Sequence, residues 1–218
     1  MIKLIIFDIG GILVENYDIP MFEALAKACN KPRTVIEQEC TNLMHKSERG
    51  EITEKEFITQ FLKEMQSKED PNNVLKIRRA ATKEMQGTRA LIKELKKHYK
   101  VGFATNNAKE EFAYNNSVMH FNALFDWGIA SCDAHARKTE PKMFEEILTH
   151  FNVQPQETIF IDDSVKNLAA PKALGMQTIQ FISLEQLKKD LQKAGINIIE
   201  KPAKNFPFSQ HSPNTKSC

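Results

Sequence analysis

Leu4-Ile5-Ile6-Phe7-Asp8-Ile9-Gly10-Gly11 is an apolar run that stops at a carboxylate and passes at once into a glycine turn. A strand with no polar alternation is buried on both faces, as in a parallel sheet. Thr158-Ile159-Phe160-Ile161 repeats the pattern and ends in Asp162-Asp163. Val101-Gly102-Phe103-Ala104-Thr105 is a third such strand, ending in the polar pair Asn106-Asn107. In an open parallel sheet, ligands bind beyond the carboxyl ends of the strands. Neighbouring strands lie about 5 Å apart, so Asp8, Thr105-Asn106 and Asp162-Asp163 can converge. Carboxylates packed together repel and need a cation, and oxygen-only ligands favour Mg²⁺. The sequence therefore points to an acidic, cation-binding site with Asp8 as a candidate nucleophile.

The elements around these strands alternate. Helical spacing at Leu91, Ile92 and Leu95 precedes the strand at 101–105, and a helix is expected after it. Trp127–Ala130 reads as a weaker strand, and Pro141–Phe151 as an amphipathic helix with Phe144, Ile147, Leu148 and Phe151 in its stripe. A helix ending near Gly175 leads to a last strand at 178–181. This order predicts an α/β fold, a Rossmann-like three-layer core around a parallel sheet.

One block breaks the alternation. Residues 15–87 read as helices throughout, an all-helical cap inserted between the first two strands. Asp18 with Pro20 opens a helix to about Ala28, and Pro32 opens another through Ile36 and Leu43. Thr53-Glu54-Lys55-Glu56 is a capping box, and Asp70-Pro71 pairs an N-cap with a proline in the first turn. The expected organisation is a catalytic core at 1–14 and 88–200, the cap at 15–87, and a disordered or loosely attached tail at 201–218, rich in proline and polar residues.

Composition narrows the function classes. The 218 residues carry 27% charged and 41% apolar side chains with a net charge of +2. That balance gives no electrostatic case for nucleic acid or membrane surfaces. The cysteines at 29, 40, 132 and 218 have neither zinc-site nor disulfide-scaffold spacing. No stretch reads as a signal peptide or a membrane span. The expectation is a cytoplasmic protein, monomer or homodimer, whose partner is a small phosphorylated metabolite.

The motifs together resemble the haloacid dehalogenase superfamily of hydrolases, mainly Mg²⁺-dependent phosphatases, and within it the subfamily I type with a helical C1 cap. The resemblance rests on Ile5–Leu13, on Ala104-Thr105-Asn106, on Lys138-Thr139-Glu140-Pro141, and on Phe160-Ile161-Asp162-Asp163-Ser164 with Asn167 and Gly175. It implies that Asp8 is the nucleophile that forms an aspartyl-phosphate, and that Lys138 neutralises charge in catalysis and substrate binding. It implies that Thr105 and Asn106 bind the phosphoryl group. Mg²⁺ would be held by Asp8, the Gly10 carbonyl, Asp162 and Asp163. Glu48-Arg49-Gly50 is similar to the specificity loop of helical caps. Arg49 there either reaches a substrate phosphate or sugar hydroxyl, or flanks a turn that needs glycine.

One position departs from the family. Its phosphatases place a second aspartate two residues after the nucleophile as general acid and base, and this chain has Gly10. The bacterial glucose-1-phosphatase branch shares that glycine, and an anomeric leaving group needs less protonation. The resemblance thus implies a phosphatase acting on a small soluble phosphate ester, with sugar phosphates among the candidates. A non-catalytic phosphate-binding protein and a metal-free 2-haloacid dehalogenase are the alternatives.

Overall fold

The computed structural model describes residues 1–198; the expected tail lies outside them. A five-stranded, wholly parallel sheet runs in the order β3-β2-β1-β4-β5. In chain order its strands are β1 (Leu4–Phe7), β2 (Lys100–Thr105), β3 (Trp127–Ala130), β4 (Thr158–Asp162) and β5 (Gln177–Gln180). The helices are α1 (Asp18–Cys29), α2 (Arg33–Glu39), α3 (Thr41–Glu48), α4 (Glu54–Glu64), α5 (Pro71–Ala80) and α6 (Thr88–Leu95) before β2. After it come α7 (Lys109–Met119), α8 (Phe121–Leu124), α9 (Ser131–Ala134), α10 (Pro141–Phe151), α11 (Ala169–Ala173) and α12 (Leu184–Lys193). This is the expected α/β fold with a helical region between β1 and β2.

The two-residue period of a strand divides β1 between two cores. Ile5 and Phe7 enter one apolar cluster with Leu91, Ile92, Leu95 and Leu187. Leu4 and Ile6 enter the opposite one with Phe144, Ile147 and Phe160. A third cluster, built from Met21, Leu25, Ile36, Phe57, Phe61 and Val74, belongs to α1–α5 alone. The chain enters and leaves this helical region through adjacent backbone. Met85 N–H donates to the Leu13 carbonyl and Glu15 N–H to the Lys83 carbonyl, each at 2.8 Å.

Several helix boundaries follow the local chemistry. Thr53 and Glu56 complete the capping box of α4, and the Asp70 carboxylate accepts from Asn72 N–H at the start of α5. The expected helix from Pro32 through Leu43 is instead two, broken at Cys40. The Thr41 hydroxyl there donates to the Glu37 carbonyl at 2.7 Å and ties the start of α3 back to α2. The helix expected before Gly175 is a short 3-10 turn, Val165–Leu168, followed by α11. The Asn167 side chain folds that turn back onto Asp162. Helix α12, capped by Ser183, was not foreseen.

A buried ion cluster joins the helical region to α7. Arg78, 5% exposed, lies 2.5 Å from Asp18, 2.7 Å from Glu54 and 2.7 Å from Glu111. Arg79 also pairs with Glu54 and sits over the Tyr114 ring at 4.9 Å. Burial pushes the Glu111 carboxyl up from 4.5 to about 8, against the pull of Arg78. Arg78→Met strands the buried Glu54 and Glu111 side chains and is expected to cost about 3–5 kcal/mol in equilibrium denaturation. The sign with pH follows from the raised Glu111 value. The bound proton contributes fully at low pH, and its contribution is lost as pH rises through about 8. The cost of Arg78→Met should therefore shrink as pH falls, because a protonated Glu111 no longer needs the guanidinium.

Candidate active site

Strand register brings the candidate residues together. Phe7 pairs with Ile161 on one side and Phe103 on the other, so the residues that follow at the carboxyl edge are Asp8, Asp162 and the Ala104-Thr105 end of β2. Asp8 N–H continues the ladder to the Ile161 carbonyl at 2.9 Å. β1 is the strand from which the chain order runs outward in both directions, so this edge is the crevice where such sheets bind ligands.

Carboxylate oxygens of Asp8, Asp162 and Asp163 all lie within 4.8 Å of one another. Lys138 Nζ stands 2.5 Å from Asp8 Oδ2 and 2.8 Å from Asp162 Oδ2. Burial drives the Asp8 carboxyl up from 3.8 to about 8, with Asp162 adding to the rise and Lys138 opposing it. Burial followed by the Asp162 charge also raises Asp163. Burial alone would depress the Lys138 ammonium, but Asp8 and Asp162 together hold it above its ordinary value. Ionised, the three carboxylates and one ammonium leave two negative charges uncompensated in a buried place. One divalent cation supplies the balance, and an all-oxygen donor set suits a hard ion. Asn167 Oδ1, beside Asp162, is a buried oxygen without a hydrogen-bond partner. The residues present therefore fit Mg²⁺.

The supporting contacts fix this arrangement. Asp8 Oδ1 accepts from Ile9 N–H at 2.6 Å, and Asp162 Oδ1 accepts from Ser164 N–H at 2.9 Å and Asn167 Nδ2 at 3.0 Å. Asn106 Oδ1 accepts from Lys138 N–H at 3.0 Å, tying the β2 end to the loop that carries the lysine. Gly11 has φ +70°, and a Cβ there would stand 2.3 Å from Asp163 Oδ2, so only glycine lets the turn pass this carboxylate. Gly10 differs: a Cβ there would meet nothing within 4 Å.

A cleft of about 530 Å³ opens over the cluster. Asp8, Gly10, Thr105, Asn106, Lys138 and Asp163 form its floor, while Tyr17, Ile19, Phe22, Met44 and Glu48 line it from the helical region. Arg49 is not among the lining residues; it pairs with Glu140 at 2.5 Å. Arg137, which the sequence reading passed over, lines the cleft and is held by Glu48 at 2.5 Å. Its one signal was its place beside Lys138. Glu15, the next carboxylate along the chain after Asp8, is exposed and outside the cleft. Asn107, which carries no motif of its own, bonds Thr105 and is 1% exposed.

The fold and this constellation define a class, a hydrolase built on aspartates at the end of a central parallel strand. The chain belongs to the haloacid dehalogenase-like hydrolase family, whose pattern matches residues 5–181. Flavin mononucleotide hydrolase 1 of Arabidopsis thaliana is 25% identical over 90% of this chain and 79% of its own length. Bifunctional epoxide hydrolase 2 of Sus scrofa is 27% identical over 50% of this chain, and the match spans only 20% of that protein. A family enzyme of Bacteroides thetaiotaomicron, solved with magnesium and inorganic phosphate, superposes with a TM-score of 0.68. It is 20% identical and covers 86% of this chain and 99% of its own. Among the described residues no helix is long and apolar enough to cross a membrane.

Proposed function

We propose that the protein is a Mg²⁺-dependent phosphatase that cleaves a small soluble phosphate ester through an aspartyl-phosphate on Asp8. The observation that carries this reading is Lys138 bridging Asp8 and Asp162 inside the three-carboxylate cluster at the floor of an open cleft. A bound Mg²⁺, held by Asp8, Asp162, Asp163 and the Gly10 carbonyl, would neutralise charge on the transferring phosphoryl group. Asp8 attacks phosphorus, the ester oxygen departs, and water then cleaves the acyl phosphate. Lys138 pulls the Asp8 carboxyl toward its ionised form, a bound divalent cation would complete that pull, and the ammonium offsets phosphoryl charge, while Thr105 and Asn106 position the phosphoryl oxygens.

Gly10 decides which esters suit the site. No carboxyl stands two residues after Asp8 to protonate the departing oxygen. Glu48 and Asp18 line the cleft, but each is taken up by an arginine. Phosphates with good leaving groups fit best, namely sugar 1-phosphates, aryl phosphates and the acyl phosphate anhydrides. This preference matches the glucose-1-phosphatase branch. The flavin mononucleotide hydrolase relative adds flavin mononucleotide to the compounds worth testing. The carboxylate cluster, which needs a cation, speaks against metal-free dehalogenation.

Purified protein is expected to release phosphate from an aryl phosphate and from sugar 1-phosphates with Mg²⁺ and to stop on addition of EDTA. A protein that binds phosphate yet turns over no ester in a broad panel would instead be the non-catalytic form that the loss at Gly10 allows.

A further inference from the structure

The Thr105 hydroxyl has one proton, and in the structure it goes to the Asn107 side-chain carbonyl at 2.7 Å. The Asn107 amide nitrogen in turn donates to the Tyr17 hydroxyl at 2.7 Å. A hydroxyl that has spent its proton this way can only accept, and phosphoryl oxygens only accept as well. In this arrangement Thr105 has nothing to offer a phosphate.

A half-turn of the Asn107 amide exchanges its oxygen and nitrogen with almost no change of shape. The nitrogen then donates to Thr105 Oγ1, the Tyr17 hydroxyl donates to the amide carbonyl, and the Thr105 proton is released toward the cleft. Both arrangements leave the amide bonded at each end, because a phenol can accept or donate. The surroundings hold Asn107 in place while its amide turns. Its backbone N–H donates to Ser131 Oγ at 3.0 Å, and the Ser131 hydroxyl donates to the Glu48 carbonyl at 2.6 Å. Tyr17 and Glu48 both lie in the helical region between β1 and β2, at the start of α1 and the end of α3.

We propose that Asn107 is a positioning residue that, backed by Tyr17, sets the direction of the Thr105 O–H bond and turns it onto bound phosphate. The proposal rests on Thr105 being a phosphate ligand, as in the function above. The phenol must keep its proton to donate, and burial, together with Glu111 and Asp18, raises Tyr17 well above its ordinary value.

Two substitutions separate this role from a structural one. Asn107→Asp keeps the shape but accepts only, so it claims the Thr105 proton permanently. Asn107→Ala removes the acceptor and leaves that proton free. The probe is inorganic phosphate with saturating Mg²⁺, titrated calorimetrically into the full chain. Asn107→Asp is expected to weaken phosphate binding about 10-fold, as does Thr105→Val, and Asn107→Ala by less. In a Thr105→Val background the gap between the Asp and Ala variants should close. An equal gap in both backgrounds reports charge repulsion alone and overturns the proposal, as does an Ala variant weaker than the Asp variant. Thermal melting shows whether each variant folds. If Asn107→Asp does not, Asn107→Ala still decides, because a measurable loss smaller than that of Thr105→Val supports the role, while no loss or a larger one refutes it. Binding needs no turnover, so a wild-type protein without hydrolysis fails the phosphatase reading and leaves this comparison intact.

Discussion

Asp8→Asn is expected to abolish Mg²⁺-dependent phosphate release, with kcat down by at least about 10³-fold, because it removes the attacking oxygen and not merely a contact. The amide nearly matches the carboxylate in size, so the fold should survive. Stability should even rise at neutral pH when metal is absent, since the native carboxyl is held buried at about 8 beside Asp162 and Asp163. Two measurements check this on one sample: phosphate release from an aryl phosphate with Mg²⁺, and a denaturant melt in EDTA. Undiminished hydrolysis by the variant would remove Asp8 from the chemistry and return the site to an open question.

Gly10→Asp is expected to do the opposite. A side chain at this position meets nothing within 4 Å at its Cβ, and Gly10 itself lines the cleft. A carboxyl there can reach the departing oxygen, and general acid catalysis is typically worth 10²–10⁴-fold, so simple alkyl phosphates should gain on about that scale. An aryl phosphate, whose leaving group needs no proton, should gain far less. The comparison between the two substrate types is the measurement. Equal gains would assign the effect to binding or folding, and no gain on alkyl esters would mean that another group already supplies the proton.

The strands and their carboxylates were legible because burial on both faces leaves little choice of residue. Leu4–Phe7 and Thr158–Ile161 can hardly be anything but inner strands, and a carboxylate directly after such a run must emerge at a sheet edge. The capping box at Thr53 and the proline at 71 were legible for a similar reason, since local chemistry alone decides them. Other features depend on partners distant in sequence. Arg49 stands beside the expected glycine, yet its partner is Glu140, 91 residues away. Arg137 carries no motif of its own and gains its place from Glu48. The break at Cys40, where a buried residue separates α2 from α3, leaves no trace in apolar periodicity. Asn107 looked like the second of two polar residues after a strand, and its significance appears only with Tyr17, 90 residues earlier, across from it.

The paired backbone at Leu13–Glu15 and Lys83–Met85 has a consequence for how such a chain can change over time. Departure and return sit side by side, so whatever lies between them is a detour that the sheet does not register. A different detour, longer or shorter, could be spliced at the same point without shifting Asp8 against Asp162. The strands can then hold their carboxylates in register while the loop of chain stitched between two neighbouring peptide groups varies in length.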